Sequence, residues 1–200
     1  MGQTPHRKVQ HSGEYLIQWG SFGSANGQFN DPIGIAVDKS GNVYVSEASN
    51  FRIQKFSSSG EYLSSFGFGY GELSGIAVDD SGNVYVADMY NRVNKFNSSG
   101  NCLWSTGNGK DKVGDYPNVR YSLAVDSSGN VYEADTLGNR IVQFSSSGAY
   151  VTQWGSYGSG DGQFNAPWGI AADNSGNLYV IDAGNNRIEK FSSSEHSSLN

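Results

Sequence analysis

The amino-acid sequence predicts an all-β fold, a β-propeller built from four blades of four strands each. The first observation behind this prediction is a repeat, since GIAVD, GIAVD, SLAVD and GIAAD recur at spacings of 41, 47 and 47 residues. The second is that each copy holds four short runs of β-branched and aromatic residues, separated by Gly, Asn and Ser. The third is that helical spacings of apolar residues never last more than a turn. Repeats of this length with four strands each are typical of propeller blades.

The first run of each copy is small and apolar throughout, as the innermost strand of a blade must be. Each run ends in an Asp, followed by one variable residue and then Ser-Gly-Asn. This pattern predicts a hairpin turn in which Asp accepts hydrogen bonds from backbone N–H groups and Gly or Asn adopts positive φ. The alternative is an acidic ring that binds a metal. The four carboxylates are Asp38, Asp79, Asp126 and Asp173.

The second and third runs are predicted to form the central strand and its outer neighbour. Sequences such as NVYVAD are apolar on both faces, which fits a central strand, whereas RIQKF alternates polar and apolar residues, as expected nearer the edge. A carboxylate ends each central strand, and an Arg begins each third strand. We expect each pair to brace the loop between the two strands, the alternative being a ring of charge with a function. The pairs are Glu47 with Arg52, Asp88 with Arg92, Asp135 with Arg140 and Asp182 with Arg187.

The fourth run supplies the outermost strand, and its order along the chain suggests how the ring closes. It occurs at 14–20, 61–67, 101–107 and 149–155, so that the first outer strand precedes any inner strand. The last copy ends with its third strand at 187–191. Residues 14–20 are therefore predicted to complete the last blade and to close the propeller by pairing with it.

The repeats also resemble a known family. NNRIEKF, SGNLYVID and PWGIAAD are similar to the NHL repeat, and the similarity covers residues 13–193, between tails at 1–12 and 194–200. The resemblance implies a β-propeller, and NHL propellers usually have six blades. Four repeats leave three arrangements open: a small four-bladed ring, an eight-bladed ring shared by two chains as a homodimer, or part of a larger protein.

Composition disfavours several classes of function. The net charge is −6 and only 13 residues are Lys or Arg, which makes a nucleic-acid partner unlikely because phosphate binding needs a clustered positive field. Neither a signal peptide nor an apolar run of membrane-spanning length is visible, so we expect no membrane partner. The single cysteine, Cys102, rules out an internal disulfide and gives a mild preference for the cytoplasm.

The family resemblance raises the question of catalysis. Propeller lyases similar to NHL proteins hold a metal with several histidines, whereas His6, His11 and His196 all lie in the tails. Lactonase-like propellers use a Glu, Asn and Asp set around a divalent cation, and no such set stands apart from the repeats. The acidic residue peculiar to one blade is Glu133, which we expect to be solvated or paired with Arg. The sequence therefore favours a protein without catalytic residues, cofactor or metal, with a metal-dependent lactonase or lyase as the alternative.

The loops before the inner strands differ most among the repeats, and with the loops after the central strands they should form one face. Such loops commonly carry function, and aromatic residues with an Arg suit the centre of a protein interface. We expect Phe29 and Phe164 to pack between blades instead. The predicted function is a non-catalytic NHL-type interaction module that binds a protein or peptide, with RNA binding as a further alternative. The candidate binding residues are Ile33, Phe51, Tyr70, Tyr90, Arg120, Tyr121, Leu137 and Trp168.

Overall fold

The computed structural model of the chain describes residues 15–69, 71–90, 92–106 and 122–192. Its strands form four antiparallel sheets of consecutive strands, which we number as the first to fourth blades. The first blade contains β1 (Pro32–Val37), β2 (Val43–Glu47), β3 (Arg52–Phe56) and β4 (Tyr62–Phe66). The second contains β5 (Leu73–Val78), β6 (Val84–Asp88), β7 (Arg92–Phe96) and β8 (Cys102–Ser105). The third contains β9 (Ser122–Val125), β10 (Val131–Asp135), β11 (Arg140–Phe144) and β12 (Tyr150–Trp154). The fourth contains β13 (Pro167–Ala172), β14 (Leu178–Asp182) and β15 (Arg187–Phe191), with a 3₁₀ turn at Ala183–Asn185.

The turn between the inner and central strands has the predicted construction. In the first blade, one oxygen of Asp38 accepts hydrogen bonds from the backbone N–H groups of Ser40 and Asn42, both at 2.9 Å. Its other oxygen accepts from the side chains of Asn42 at 2.8 Å and Tyr44 at 3.2 Å. Gly41 adopts a φ of 81°, which favours glycine. The same bonds recur in the other three blades, so these carboxylates build turns, as predicted.

The hydrophobic core lies between consecutive blades. We call the side of a blade that points toward the next blade in the chain its forward face, and the opposite side its back face. Tyr44 and Ile53 on the forward face of the first blade pack against Ile76, Val84 and Val86 on the back face of the second. Equivalent apolar layers join the second blade to the third and the third to the fourth. These layers remove large apolar side chains from water and so hold the blades in order.

The four-bladed propeller is confirmed, but the predicted closing strand is not. Within the described residues the fourth blade has three strands, and residues 15–20 lie outside any sheet. Trp19 instead packs on the first blade, with its ring 5.9 Å from that of Phe56. Tyr179 and Ile188 on the forward face of the fourth blade are exposed, as are Ile35 and Val37 on the back face of the first blade. These two blades therefore do not pack on each other, and the described blades form an open arc.

No helix in the described part of the chain is long and apolar enough to cross a membrane.

Candidate binding face

The loops before the inner strands and those after the central strands lie together in the first and fourth blades, as predicted. In the first blade, the side chain of Asn50 donates a hydrogen bond to the carbonyl oxygen of Gly23 at 2.9 Å. In the fourth, the side chain of Asn185 donates to the carbonyl oxygen of Gly158 at 2.7 Å. We call the surface formed by these two sets of loops the loop face.

Each central strand ends in a carboxylate that pairs with the Arg at the start of the next strand. The Arg Nε atoms lie 2.7 to 2.8 Å from their carboxylate oxygens in all four blades. The paired residues are also cross-strand partners at the ends of the two central strands. The carboxylates are buried beneath the Arg side chains. The four pairs therefore brace the loops, as expected, and do not form an exposed ring of charge.

In the first and fourth blades the paired Arg also holds the preceding loop in place. The guanidinium of Arg52 donates to the carbonyl oxygens of Ser24, Ala25 and Gln28 at 2.8 to 2.9 Å. Arg187 does the same for Ser159, Gly160 and Gln163 in the fourth blade. The sequence analysis missed this role, although the near-identical GQFN loops that precede both blades were a signal for it. Because these guanidinium groups are engaged with the protein itself, they are poorly placed to bind a ligand.

Gln54 also bonds to the loop before β1 and to Glu47, and its position differs from the one that the sequence predicts for the third strand. The alternation in RIQKF predicts an edge-like strand with polar residues toward solvent, yet the Gln54 side chain is fully buried. Its Nε2 donates to Glu47 at 2.9 Å and to the carbonyl oxygen of Gln28 at 2.7 Å. Its Oε1 accepts from the N–H of Gly27 at 2.9 Å. A buried polar side chain is tolerated here because its hydrogen bonds are satisfied by the loop.

The electrostatics of the fourth-blade pair follow from the same bonds. Burial opposes ionisation of Asp182, but hydrogen bonds from Asn165, Asn185 and Arg187 outweigh it and lower the pKa of the carboxyl. Hydrogen bonding to Asp182 raises the pKa of Arg187. Both groups are therefore charged at neutral pH, and the brace persists throughout the physiological range.

The structure brings two of the predicted binding residues, Ile33 and Trp168, to one cleft. Trp168 is 50% exposed at the start of β13, and Ile33 is half-buried at the start of β1. The cleft has a volume of about 280 Å³ and lies where the inner strands of all four blades approach one another. Its walls also include Ile35, Ile76 and Ser122. This is a concave surface of mixed polar and apolar character at the centre of the arc, with the Trp168 ring and Ile side chains among its walls.

Phe51 occupies a backbone conformation that is unfavourable for a bulky residue. Its φ is 54°, in the left-handed region, where the equivalent positions of the third and fourth blades hold Asn139 and Asn186 at 51° and 56°. Asn tolerates this conformation far better than an aromatic residue does. Phe51 is half-buried, and the two Asn residues show that the equivalent loop forms without an aromatic side chain at this position.

Two other predicted residues lie in the loops of separate blades. Leu137 is exposed in the loop after β10. Tyr90 is half-buried in the loop after β6, where the guanidinium of Arg92 lies 5.1 Å from its ring centre. The neighbouring Met89 is exposed and was missed by the sequence analysis, which considered mainly aromatic residues. Tyr70, Arg120 and Tyr121 lie outside the described residues.

Phe164 packs between the third and fourth blades, as predicted, whereas Phe29 is half-buried on the back face of the first blade and contacts residues of that blade alone. The Phe29 ring lies 5.6 Å from that of Phe56, and the Phe164 ring lies 5.8 Å from that of Phe191. Phe164 is fully buried.

Glu133 differs from its prediction. It was expected to be solvated or paired with Arg, but it is only 2% exposed, and its Oε1 has no hydrogen-bond partner among the described residues. Burial and the nearby charges of Asp135 and Asp88 raise the pKa of Glu133 to about 8, while Arg140 acts in the opposite direction. The side chain is therefore mainly protonated at neutral pH.

Two further observations concern reactive groups in the described ranges. No group of three or more His, Cys, Asp and Glu side chains there is arranged to hold a metal ion. Cys102 is exposed, and its Sγ lies 3.6 Å from the carbonyl oxygen of Trp104.

Comparison with known sequences identifies the repeat. The model of the NHL repeat matches residues 29–56 and 164–191. Protein brain tumor from Drosophila melanogaster is 38% identical over 53 residues, which is 26% of this chain and 5% of that protein.

Solved structures share the fold. A protein of unknown function from Bacteroides thetaiotaomicron superposes with a TM-score of 0.67 at 20% identity, over 90% of this chain and 51% of that one. Virginiamycin B lyase from Staphylococcus aureus superposes with a TM-score of 0.62 at 17% identity, over 82% of this chain and 53% of that one. A histidine-to-alanine variant of that lyase is catalytically inactive. The chain thus spans about half the length of these structures and a small part of the Drosophila protein.

Proposed function

This chain is an NHL-repeat β-propeller, and we propose that it is a non-catalytic interaction module that binds a protein or peptide segment through its loop face. The observation that carries the proposal is the cleft at the centre of the arc, where Trp168 stands half exposed beside Ile33. Trp is among the residues most enriched at the energetic centres of protein interfaces, and a concave setting favours such an anchor.

The braced loops support the same proposal. Arg52 and Arg187 hold the loops that precede β1 and β13, the strands that carry Ile33 and Trp168, through hydrogen bonds to backbone carbonyl groups. A partner that binds these loops loses little conformational entropy in ordering them, because they are already held in one shape.

Phe51 supplies an independent argument. A Phe in the left-handed region costs roughly 1–3 kcal/mol, and the protein retains it where two other blades hold Asn. Strain of this kind is concentrated at functional sites. A role in contacting the partner accounts for the Phe, because an aromatic ring on a braced loop adds apolar contact area that Asn lacks.

The alternative functions have weaker support. The likeness to virginiamycin B lyase is a likeness of fold, and this chain has no histidine between residues 12 and 195, the span that forms the blades. RNA binding is disfavoured by the net charge of −6 and by the engagement of the loop-face Arg residues with the protein itself.

The proposal is tested with peptides selected on the protein from a random library displayed on phage. Trp168→Ala and Phe51→Asn should each weaken binding of the selected peptides by about tenfold or more, measured by calorimetry. Leu63→Ala serves as the matched control, because Leu63 is an exposed apolar residue on the outer strand of the first blade.

Two results would overturn the proposal. One is a selection that yields no binding peptide. The other is a set of peptides that bind the two loop-face variants as tightly as the unmodified protein, since those peptides would occupy another surface.

A further inference from the structure

The forward face of the fourth blade is uncovered, although its residues are those that other blades bury. Tyr179, Ile181 and Ile188 are 37%, 48% and 69% exposed. Their equivalents Tyr44 and Ile53 in the first blade are fully buried against the second blade. The fourth blade therefore presents the apolar surface of an internal blade with nothing from the described residues packed on it.

The back face of the first blade is uncovered near the axis of the arc. Ile35 and Val37 of β1 are 68% and 60% exposed. The equivalent residues Ile76 and Ile170, in the second and fourth blades, are each 8% exposed because the preceding blade covers them. The arc thus ends in one open forward face and one open back face.

Residues 15–19 occupy the place of an outer strand from a preceding blade. Trp19 and Phe29 lie 5.9 and 5.6 Å from Phe56, measured between ring centres. Trp154 and Phe164 approach Phe191 in the same way, each at 5.8 Å. Trp154 belongs to β12, which pairs with β11 of the third blade, whereas the segment that carries Trp19 pairs with no described strand.

The two ends of the chain are therefore complementary. Among the described residues the fourth blade has three strands and no outer strand beside β15, and residues 15–19 have the position of an outer strand without a blade. We propose that a second copy of this chain docks head to tail on the first. The forward face of each fourth blade packs on the back face of the other copy's first blade, and residues 15–19 of each copy pair with β15 of the other. The product is a closed ring of eight blades with two-fold symmetry.

The structure gives a reason for choosing a second copy as the occupant. An open forward face needs the back face of a blade, and the described back face that remains open belongs to the first blade of this same chain.

The residues of the open forward face also fit an apolar interface. Between the first and second blades, the hydroxyl of Ser46 donates to the backbone oxygen of Ser74 at 2.6 Å, a polar contact. The residue equivalent to Ser46 in the fourth blade is Ile181, which cannot donate this hydrogen bond and adds apolar surface to the open forward face.

A lysine on the third strand supplies a second match. Lys55 and Lys95 lie over Tyr44 and Tyr85 at 5.1 and 4.9 Å, and each donates to a carbonyl group in a Ser-rich turn of the next blade. Lys190 lies over Tyr179 at 5.2 Å in the same way. In the proposed ring its ammonium group reaches the equivalent turn of the other copy, at Ser58.

Light scattering on a sizing column gives the first test. The unmodified protein should have the mass of two chains, and Ile188→Arg should have the mass of one, because the variant places a charge in the apolar interface. Leu63→Arg is the matched control and should keep the mass of two chains, since Leu63 is exposed on an outer strand away from both open faces. A single-chain mass for the unmodified protein, or a dimer that Ile188→Arg leaves intact, would overturn the proposal.

Cross-linking tests the arrangement within the dimer. Cys102 is first replaced by Ser, and one preparation then carries Lys190→Cys while a second carries Ser58→Cys. The two preparations are mixed, allowed to exchange subunits and treated with a short bismaleimide.

The proposal predicts cross-linked dimers in the mixture and far fewer in either preparation alone. A third preparation carries both cysteines in every chain. Cross-links within single chains of that preparation would mean that the arc closes on itself, and a ladder of higher oligomers would mean that the arcs join without closing. Either result would overturn the two-copy ring.

Discussion

The forward faces of the third and fourth blades share a Tyr and an Ile at equivalent positions and differ in their surroundings. Tyr132 and Ile141 of the third blade are buried against the fourth, while Tyr179 and Ile188 of the fourth are exposed. The strands that carry them have the same antiparallel pairing and register. The comparison shows that the pattern within a blade determines the type of strand, whereas the neighbouring blade determines how much each residue stabilises the protein.

The largest expected effect comes from truncating one Ile in each of these faces. Ile141→Ala should reduce the free energy of unfolding by about 2–5 kcal/mol, because it leaves a cavity in a fully packed layer. Ile188→Ala should cost less than about 1 kcal/mol when the protein is dilute enough to be a single chain. Urea denaturation at several protein concentrations measures both changes.

The same measurements at several protein concentrations test whether a second copy of the chain covers Ile188. If a second copy covers Ile188, the cost of Ile188→Ala should grow as the protein is concentrated, while the cost of Ile141→Ala should stay the same. Equal costs at high dilution would contradict the open forward face.

The next effect concerns one residue that departs from the pattern of the blades. Glu133 lies where the other central strands hold Val45, Val86 and Val180, and its Oε1 lacks a hydrogen-bond partner among the described residues. Glu133→Val should therefore raise the free energy of unfolding by about 1–3 kcal/mol at neutral pH. Glu133→Gln is the control, since it keeps the polar group and should recover little of this gain.

The raised pKa of Glu133 predicts a pH dependence with a definite sign. The unfolded chain releases the proton near the ordinary value of 4.5, whereas the folded chain holds it until about pH 8. Stability should fall as the pH rises between these values, by at most about 1.4 kcal/mol per pH unit. Glu133→Val should remove this slope in thermal or urea unfolding, and an unchanged slope would assign it to other groups.

A smaller loss of stability is expected from substitution of the Arg residue that holds the loop before β1, and the first and third blades differ in this contact. Arg52 donates to three loop carbonyl groups, whereas Arg140 is seen to bond Asp135 and Gln153. Arg52→Lys should cost about 1–2 kcal/mol and should speed hydrogen exchange in residues 21–30, because Lys lacks the planar fork of donors. Arg140→Lys is the matched variant, and the same acceleration of exchange at residues 21–30 in that variant would contradict the assigned role.

The smallest expected effect concerns the residue that has left-handed backbone conformation in each loop, which is Phe51 in the first blade and Asn186 in the fourth. Phe51→Asn should stabilise the protein by about 1 kcal/mol, because Asn adopts the φ of 54° more readily. Asn186→Phe should destabilise the fourth blade by a similar amount. Thermal unfolding measures both, and a loss of stability in Phe51→Asn would show that Phe51 is retained for packing.

Much of the fold could be predicted from the sequence because each blade repeats its turn chemistry and strand composition. Asp38 and its equivalents specify the inner hairpins through side chain-to-backbone bonds that depend on residues two and four positions away. The pairing of Glu47 with Arg52 is similarly local. These features need no knowledge of the surrounding blades.

The rest depends on contacts between distant parts of the chain. The burial of Gln54 follows from hydrogen bonds to residues 27 and 28, which lie in another loop. The open arc depends on the angle at which apolar layers hold successive blades, and a count of strands carries no information about that angle. The strain at Phe51 requires the backbone conformation, which RIQKF and its preceding residues do not reveal.

The most direct test of the open arc is hydrogen exchange in β15 of the Ile188→Arg protein, prepared as a single chain. The amides of β15 that point away from β14 should exchange nearly as fast as unprotected amides, while those of β11, which has strands on both sides, should be strongly protected. Protection of the β15 edge equal to that of β11 would mean that residues 14–20 of the same chain pair with it. The four blades would then close on themselves, and the account of an uncovered forward face would be wrong.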